Sequence, residues 1–308
     1  MQLQTIVPIS PASFSIAPQT ILLLMGSCFA ENIGEILKSL RFSAEINPFG
    51  IVYNPISLAK NMGYLLGEKE WKPENMAFSQ ELWHSFEHHS RFSGINKEKV
   101  ATHILENIEK GREILQKADI ISLTLGTAWA YRHIETGEIV ANCHKIPARF
   151  FQKELLSVAE IVAALSAIFE KMDKKFLLTI SPVRHWKEGV IENQMSKATL
   201  ILAVAELRRR FGEKVSYFPA YEIMMDELRD YRFYAQDMLH PNALAIQYIW
   251  EKFGQMYFSE KTKDFVAKMQ QLNALKAHRP FSTETESYRQ LQAKIKEMEA
   301  YFSQISTD

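Results

Sequence analysis

Short apolar runs recur along the chain, separated by longer stretches in which apolar positions return at spacings of three and four. The first pattern suits strands buried on both faces and the second suits amphipathic helices. Their alternation predicts an α/β fold, a parallel sheet covered by helices on both faces. Strands are expected at residues 20–25 (TILLLM), 44–46, 119–125 (DIISLTL), 175–180 (KFLLTI) and 214–218 (KVSYF). Helices near 29–40, 55–66, 101–116, 153–171, 193–211 and 241–258 fill the intervals. In the first helix Phe29, Ile33, Ile36, Leu37 and Leu40 share a face, and Lys38 and Arg41 suit its negative end.

Two stretches break the rhythm. Residues 67–100 are polar, aromatic-rich and irregular, with Trp71, Trp83, His84, His88 and His89, and are expected as an excursion above the sheet edge. After Phe258 the chain turns charged and helical, and Tyr288, Leu291, Ile295, Met298 and Phe302 recur at helical spacing. That stripe is too short to argue for a coiled coil, so a helix docked on the domain is expected, with a homodimer through this C-terminal helix as the alternative. The chain thus divides into an α/β domain over 1–258 and a helical extension over 259–308.

Length and composition fit this picture, since 308 residues at 47% hydrophobic bury a full core. Thirty-six basic and thirty-six acidic residues cancel, so no long-range field gathers nucleic acid or an anionic membrane. The two cysteines, Cys28 and Cys143, are too few for a disulfide scaffold and fit a reducing compartment. MGSC at 25–28 mimics a lipoprotein cleavage box, but the first basic residue is Lys38 and Pro8, Pro11 and Pro18 interrupt the preceding segment. The N-terminus therefore reads as mature protein. No run is long and apolar enough for a membrane span, and a cytoplasmic location is expected.

In open parallel sheets ligands bind beyond the carboxyl ends of the strands. The most reactive side chains sit at those ends: Gly26-Ser27-Cys28, Asn47-Pro48-Phe49-Gly50, Gly126-Thr127-Ala128-Trp129, Ser181-Pro182-Val183-Arg184-His185, and Asp237-Met238-Leu239-His240. Ser27 and Cys28 are two possible nucleophiles side by side at one strand-to-helix junction. A thiol at a helix N-terminus is expected to have a lowered pKa, which favours Cys28.

GSCFAENI at 26–33, followed by NPFGIVYNP, TLGTAWAY, NCHKIP, SPVRHW and DMLHPN, resembles the GSCFA family, a bacterial branch of the SGNH (GDSL-type) esterase superfamily. The resemblance covers roughly 19–257. It implies a flavodoxin-like three-layer α/β/α sandwich with a five-stranded parallel sheet, and esterase or acyltransferase activity without metal or organic cofactor. Laid on the superfamily's Gly-Asp-Ser block, GSC puts Cys28 in the nucleophile's place and Ser27 where the superfamily has Asp. Asp237 and His240 match the Asp-x-x-His block. His240 is then the base and Asp237 its orienter, and the backbone N–H groups of Cys28 and Gly50 are expected to form an oxyanion hole. The superfamily's third donor, an Asn, is replaced by Ala128, leaving Thr127, Asn142 or His144 as substitutes.

The remaining candidates are substrate contacts. Arg184 suits a carboxylate or phosphate, and His185, His144 and Lys145 fall in motif positions. Trp71, Trp83 and Trp129 are packing residues or faces for sugar rings or acyl chains. His84 and His88 lie four apart, a metal-site spacing without a third ligand, and are taken as lining residues. The reading is an acyl-transfer enzyme forming an acyl-enzyme on Cys28 from an ester- or thioester-linked substrate. Its alternatives are a catalytically degenerate binding protein for an acylated glycan or lipid, and a metal-assisted hydrolase using His84 and His88.

Overall fold

The computed structural model describes residues 4–187 and 189–305. β1 (Leu22–Gly26) runs straight into α1 (Cys28–Ser39), and β2 (Ala44–Ile46) precedes α2 (Pro55–Leu65). The excursion carries a hairpin, β3 (Ala77–Ser79) and β4 (Leu82–His84), before α3 (Lys97–Lys117) and β5 (Ile120–Leu125). Three short strands follow, β6 (Trp129–His133), β7 (Ile139–Val140) and β8 (Phe151–Leu155). Then come α4 (Val158–Phe169), β9 (Lys175–Ile180), α5 (Val190–Phe211) and β10 (Val215–Phe218). A single turn, α6 (Ala220–Glu222), continues as a π-turn over Ile223–Glu227 before α7 (Ala243–Tyr257), α8 (Glu260–Ala277) and α9 (Glu286–Ile305).

The central sheet has the order β10-β9-β5-β1-β2, and every pairing is parallel. Counting only these five strands along the chain, the order is 2-1-3-4-5, the flavodoxin-like arrangement. Strand side chains alternate between two cores. Leu23, Met25, Ile121, Leu123, Phe176 and Leu178 pack with α2 to α5, while Leu22, Leu24, Ile120 and Leu177 pack with α1, α7 and α8. Helices on both faces explain why the strands read as unbroken apolar runs rather than alternating ones.

Two expectations need correction. Residues 153–155, expected in a helix, belong to β8, which pairs antiparallel with β6 from Trp129↔Leu155 to His133↔Phe151. The helix starts only at Val158, behind a reciprocal Ser157–Glu160 capping box. The stretch 67–100 is less irregular than expected: besides its hairpin it buries Trp71 and His88, and α3 begins at Lys97 behind an Asn96 cap.

The C-terminal stripe finds its partner within the chain. Ile295 and Phe302 of α9 join Val266, Met269 and Leu272 of α8 and Phe29 and Leu37 of α1 in one core, with the Phe302 ring edge-on to Phe265 at 5.2 Å. No helix among the described residues is long and apolar enough to cross a membrane.

The strand order reverses between β1 and β5, and the ligand crevice of such sheets lies at the carboxyl ends of the strands at this reversal. At Gly26, which has φ +133°, a Cβ would stand 2.1 Å from the Thr124 carbonyl oxygen. Only glycine fits there, and the next two residues are Ser27 and Cys28.

Candidate active site

Ser27 and Cys28 have different surroundings. Ser27 is fully buried, donates its N–H to the Thr124 carbonyl and accepts the Phe29 N–H on its Oγ as the N-cap of α1. That placement accounts for the serine as a cap and withdraws it as an alternative nucleophile. Cys28, the first residue of α1, is half-buried, unpaired, and turned so that the N–H groups of Cys28 and Phe29 reach its sulfur. The expectation of a lowered thiol pKa is overturned. Burial first and the Glu31 carboxylate second push it up, against weaker opposing pulls from the two N–H groups and Lys197. The sulfur therefore rests as a thiol and needs a base.

Asp237 and His240 sit on the loop between β10 and α7. One Asp237 oxygen accepts the N–H groups of Leu239 (2.9 Å) and His240 (3.0 Å), and the other meets His240 Nδ1 at 2.6 Å. These backbone N–H groups, with the imidazole, hold the Asp237 carboxyl down to about 2. The carboxylate fixes Nδ1 as the protonated nitrogen and leaves Nε2 for proton transfer. The loop is tied to the end of β9 by the Arg184 N–H, which donates to the Leu239 carbonyl at 3.2 Å.

Tyr53 feels the charge of Cys28, and His185 feels that of His240. The Tyr53 ring lies edge-on to His185 with centroids 5.1 Å apart, and burial, Cys28 and Glu31 push its hydroxyl up to about 12. Burial, Lys197 and His240 push His185 down to about 3, so its imidazole is neutral. The opposite rim is built by Asn47, which accepts the Gly26 N–H at 2.8 Å and donates to Glu31 at 3.3 Å. Arg91, from the excursion, closes this network on Glu31 (3.3 Å) and the Asn47 carbonyl (2.5 Å).

The expected oxyanion donors are mostly engaged. The Gly50 N–H closes the 47–50 turn on the Asn47 carbonyl at 2.7 Å, so it does not point to an incoming oxyanion in this conformation. Thr127 Oγ1 bonds Ser196 Oγ (2.9 Å) and the Trp129 N–H (3.0 Å), and the Ala128 N–H is taken by Ser196 Oγ (2.7 Å). Asn142 Oδ1 accepts the His144 N–H at 2.9 Å and braces its own turn.

The other predicted contacts divide between the crevice and the excursion. Arg184 lies beside the His240 loop with its guanidinium 4.9 Å from the Trp186 ring, while Trp129 donates to the Glu192 carbonyl and supports Lys153 on its ring. His84, His88 and His144 are packed under the excursion. His84 bonds Ser93 and Ser79, His88 bonds Ser85, and His144 bonds the Ser85 carbonyl and stacks on His84 at 4.6 Å. Burial drives His88 to about 3 and His144 to about 4, so both are neutral core groups rather than substrate contacts. Lys145 is exposed. Among the described residues no group of three or more His, Cys, Asp or Glu is placed to hold a metal ion.

Sequence reasoning missed Tyr53, Glu31, Arg91 and Lys197. Lys197 alone carried a usable signal: it occupies the buried stripe of α5 with Asn193, Leu200, Val204 and Leu207, where a lysine is out of place.

The model of the GSCFA family matches residues 21–253, spanning every element of the crevice. Among curated proteins none matches the chain.

Proposed function

The chain belongs to the GSCFA family, and from that premise we propose that it is an SGNH-type esterase or acyltransferase acting through Cys28. The observation that carries the reading is the Asp237–His240 pair at 2.6 Å, tied to the end of β9, two strands across the sheet from the end of β1 that carries Cys28. His240 Nε2 takes the thiol proton as the sulfur attacks the acyl carbonyl carbon. The resulting imidazolium is stabilised by Asp237. Collapse of the tetrahedral intermediate breaks the bond to the leaving oxygen or sulfur, which receives that proton, and leaves a thioester on Cys28. His240 then deprotonates water or an acceptor hydroxyl, whose attack releases the acyl group and returns the proton to the sulfur. The N–H groups at the start of α1 favour negative charge at this point. Two unpaired cysteines suit a reducing, cytoplasmic setting.

A short-chain nitrophenyl ester and an acyl thioester test this reading. Turnover is expected in the native protein and should be lost in Cys28→Ala and His240→Ala; full turnover in Cys28→Ala would overturn it. The engaged N–H groups of Gly50 and Ala128 favour a second reading, a binding protein for an acylated glycan or lipid that does not turn it over. Ligand binding that survives His240→Ala, with no hydrolysis of either substrate, is its signature.

A further inference from the structure

Lys197 is fully buried in the middle of α5, directly beneath the ends of two central strands. Its Nζ donates to the carbonyls of Gly126 and Ser181, each at 2.8 Å, just past β5 and β9. The Tyr221 ring lies 5.4 Å away. Neighbouring positions on the same helix brace the same rim: Ser196 holds Thr127 and Ala128, and Asn193 Oδ1 accepts the His185 N–H at 2.9 Å. Two carbonyls satisfy two N–H bonds, which is all that a neutral amine has; an ammonium adds a third proton and a charge that needs an anion. The ionisable groups facing it are Cys28 from α1, Glu222 from α6 and His185 from the loop after β9. Tyr217 already holds Glu222 through both carboxylate oxygens, at 2.7 Å each.

We infer that Lys197 is a positioning residue for the nucleophile, a fixed ammonium on Gly126 and Ser181 that is the counter-charge for the negative charge developing on Cys28. This rests on Cys28 being the reacting group. Burial lowers the lysine to about 7 while Cys28 and Glu222 pull it up, so charge on the sulfur selects the ammonium near neutrality. In the other direction Lys197 lowers the Cys28 thiol, opposing burial and Glu31. It exchanges no proton with substrate; the thiol proton still goes to His240.

The test is the pH–rate profile of Cys28 alkylation by iodoacetamide, read from the mass of its peptide between about pH 6 and about pH 10. Lys197→Met should slow alkylation near neutrality about tenfold, the effect of one unit of thiol pKa. Glu31→Gln should speed it severalfold, and a loss of packing alone does not give these opposite signs. An unchanged profile in folded Lys197→Met overturns the inference. If that variant does not fold, Cys28→Asp places a permanent charge beside the intact lysine. With 13Cε-labelled lysine, the resonance titrating near neutrality should move up by about one unit or more; a midpoint that stays put overturns the inference. Ester turnover in the native protein separates the two claims: turnover with an unresponsive profile removes only the role of Lys197, whereas a responsive profile without acyl transfer removes only the proposed activity.

Discussion

Ser27 and Cys28 are adjacent, yet one backbone step changes their chemistry. The helix begins between them, so the hydroxyl turns inward to cap it and the thiol lies over its first N–H groups. Ser27→Ala should cost about 1 kcal/mol of stability for the lost cap and keep most of the turnover, whereas Cys28→Ala should fold normally and lose turnover. Denaturant melts and nitrophenyl ester assays on both variants check this; loss of turnover in Ser27→Ala with native stability would contradict it. The place of the thiol at the start of a helix was legible in the sequence. The direction of its pKa was not, because burial and the Glu31 carboxylate one turn along α1 outweigh the helix end.

At the scale of elements, the five central strands were legible because helices cover both faces and force unbroken apolar runs. β8 was not. Its FQKEL segment runs straight on towards the apolar periodicity of α4, and only its ladder with β6 makes it a strand. The Ser157–Glu160 box marks the true helix start and was the signal available in the sequence. Histidines expected as substrate contacts, one in the excursion and two in later loops, likewise sit in largely desolvated surroundings. His88, His144 and His185 have folded-state pKa values of about 3, 4 and 3, below the ordinary histidine value. Native histidines stay neutral while unfolded ones protonate below about pH 6.5, so stability present above that pH is lost as pH falls towards 4. Each contributes a slope of about 1.4 kcal/mol per pH unit in that window. Urea unfolding at about pH 7 and about pH 5 should show the drop, and His88→Leu should flatten it; stability that does not change across the window would contradict the assignment.

For the whole molecule, the 2-1-3-4-5 order puts the reversal point at the end of β1, where the sequence carries its cysteine. That convergence was legible in outline, since five strand ends carry the motifs. The closing elements were less so: Arg91 comes from the excursion and Lys197 from a helix face, neither at a strand end. The stripe on α9 is used within the chain, so the full chain should run as a monomer in light scattering. Truncation after Ala277 removes Ile295 and Phe302 from the core, a loss of roughly 3–6 kcal/mol at about 1.5–3 kcal/mol for each large buried side chain. A dimer that the truncation dissociates, with little change in Tm, would contradict this packing.

The central claim is covalent chemistry at Cys28. Acid quenching of the protein during turnover of a nitrophenyl ester, followed by intact mass and peptide mapping, is its most direct test. One acyl group is expected, on the peptide bearing Cys28, removable by neutral hydroxylamine and absent from Cys28→Ala. An acyl group on another residue, or rapid turnover in which no acyl group is ever trapped, would contradict it.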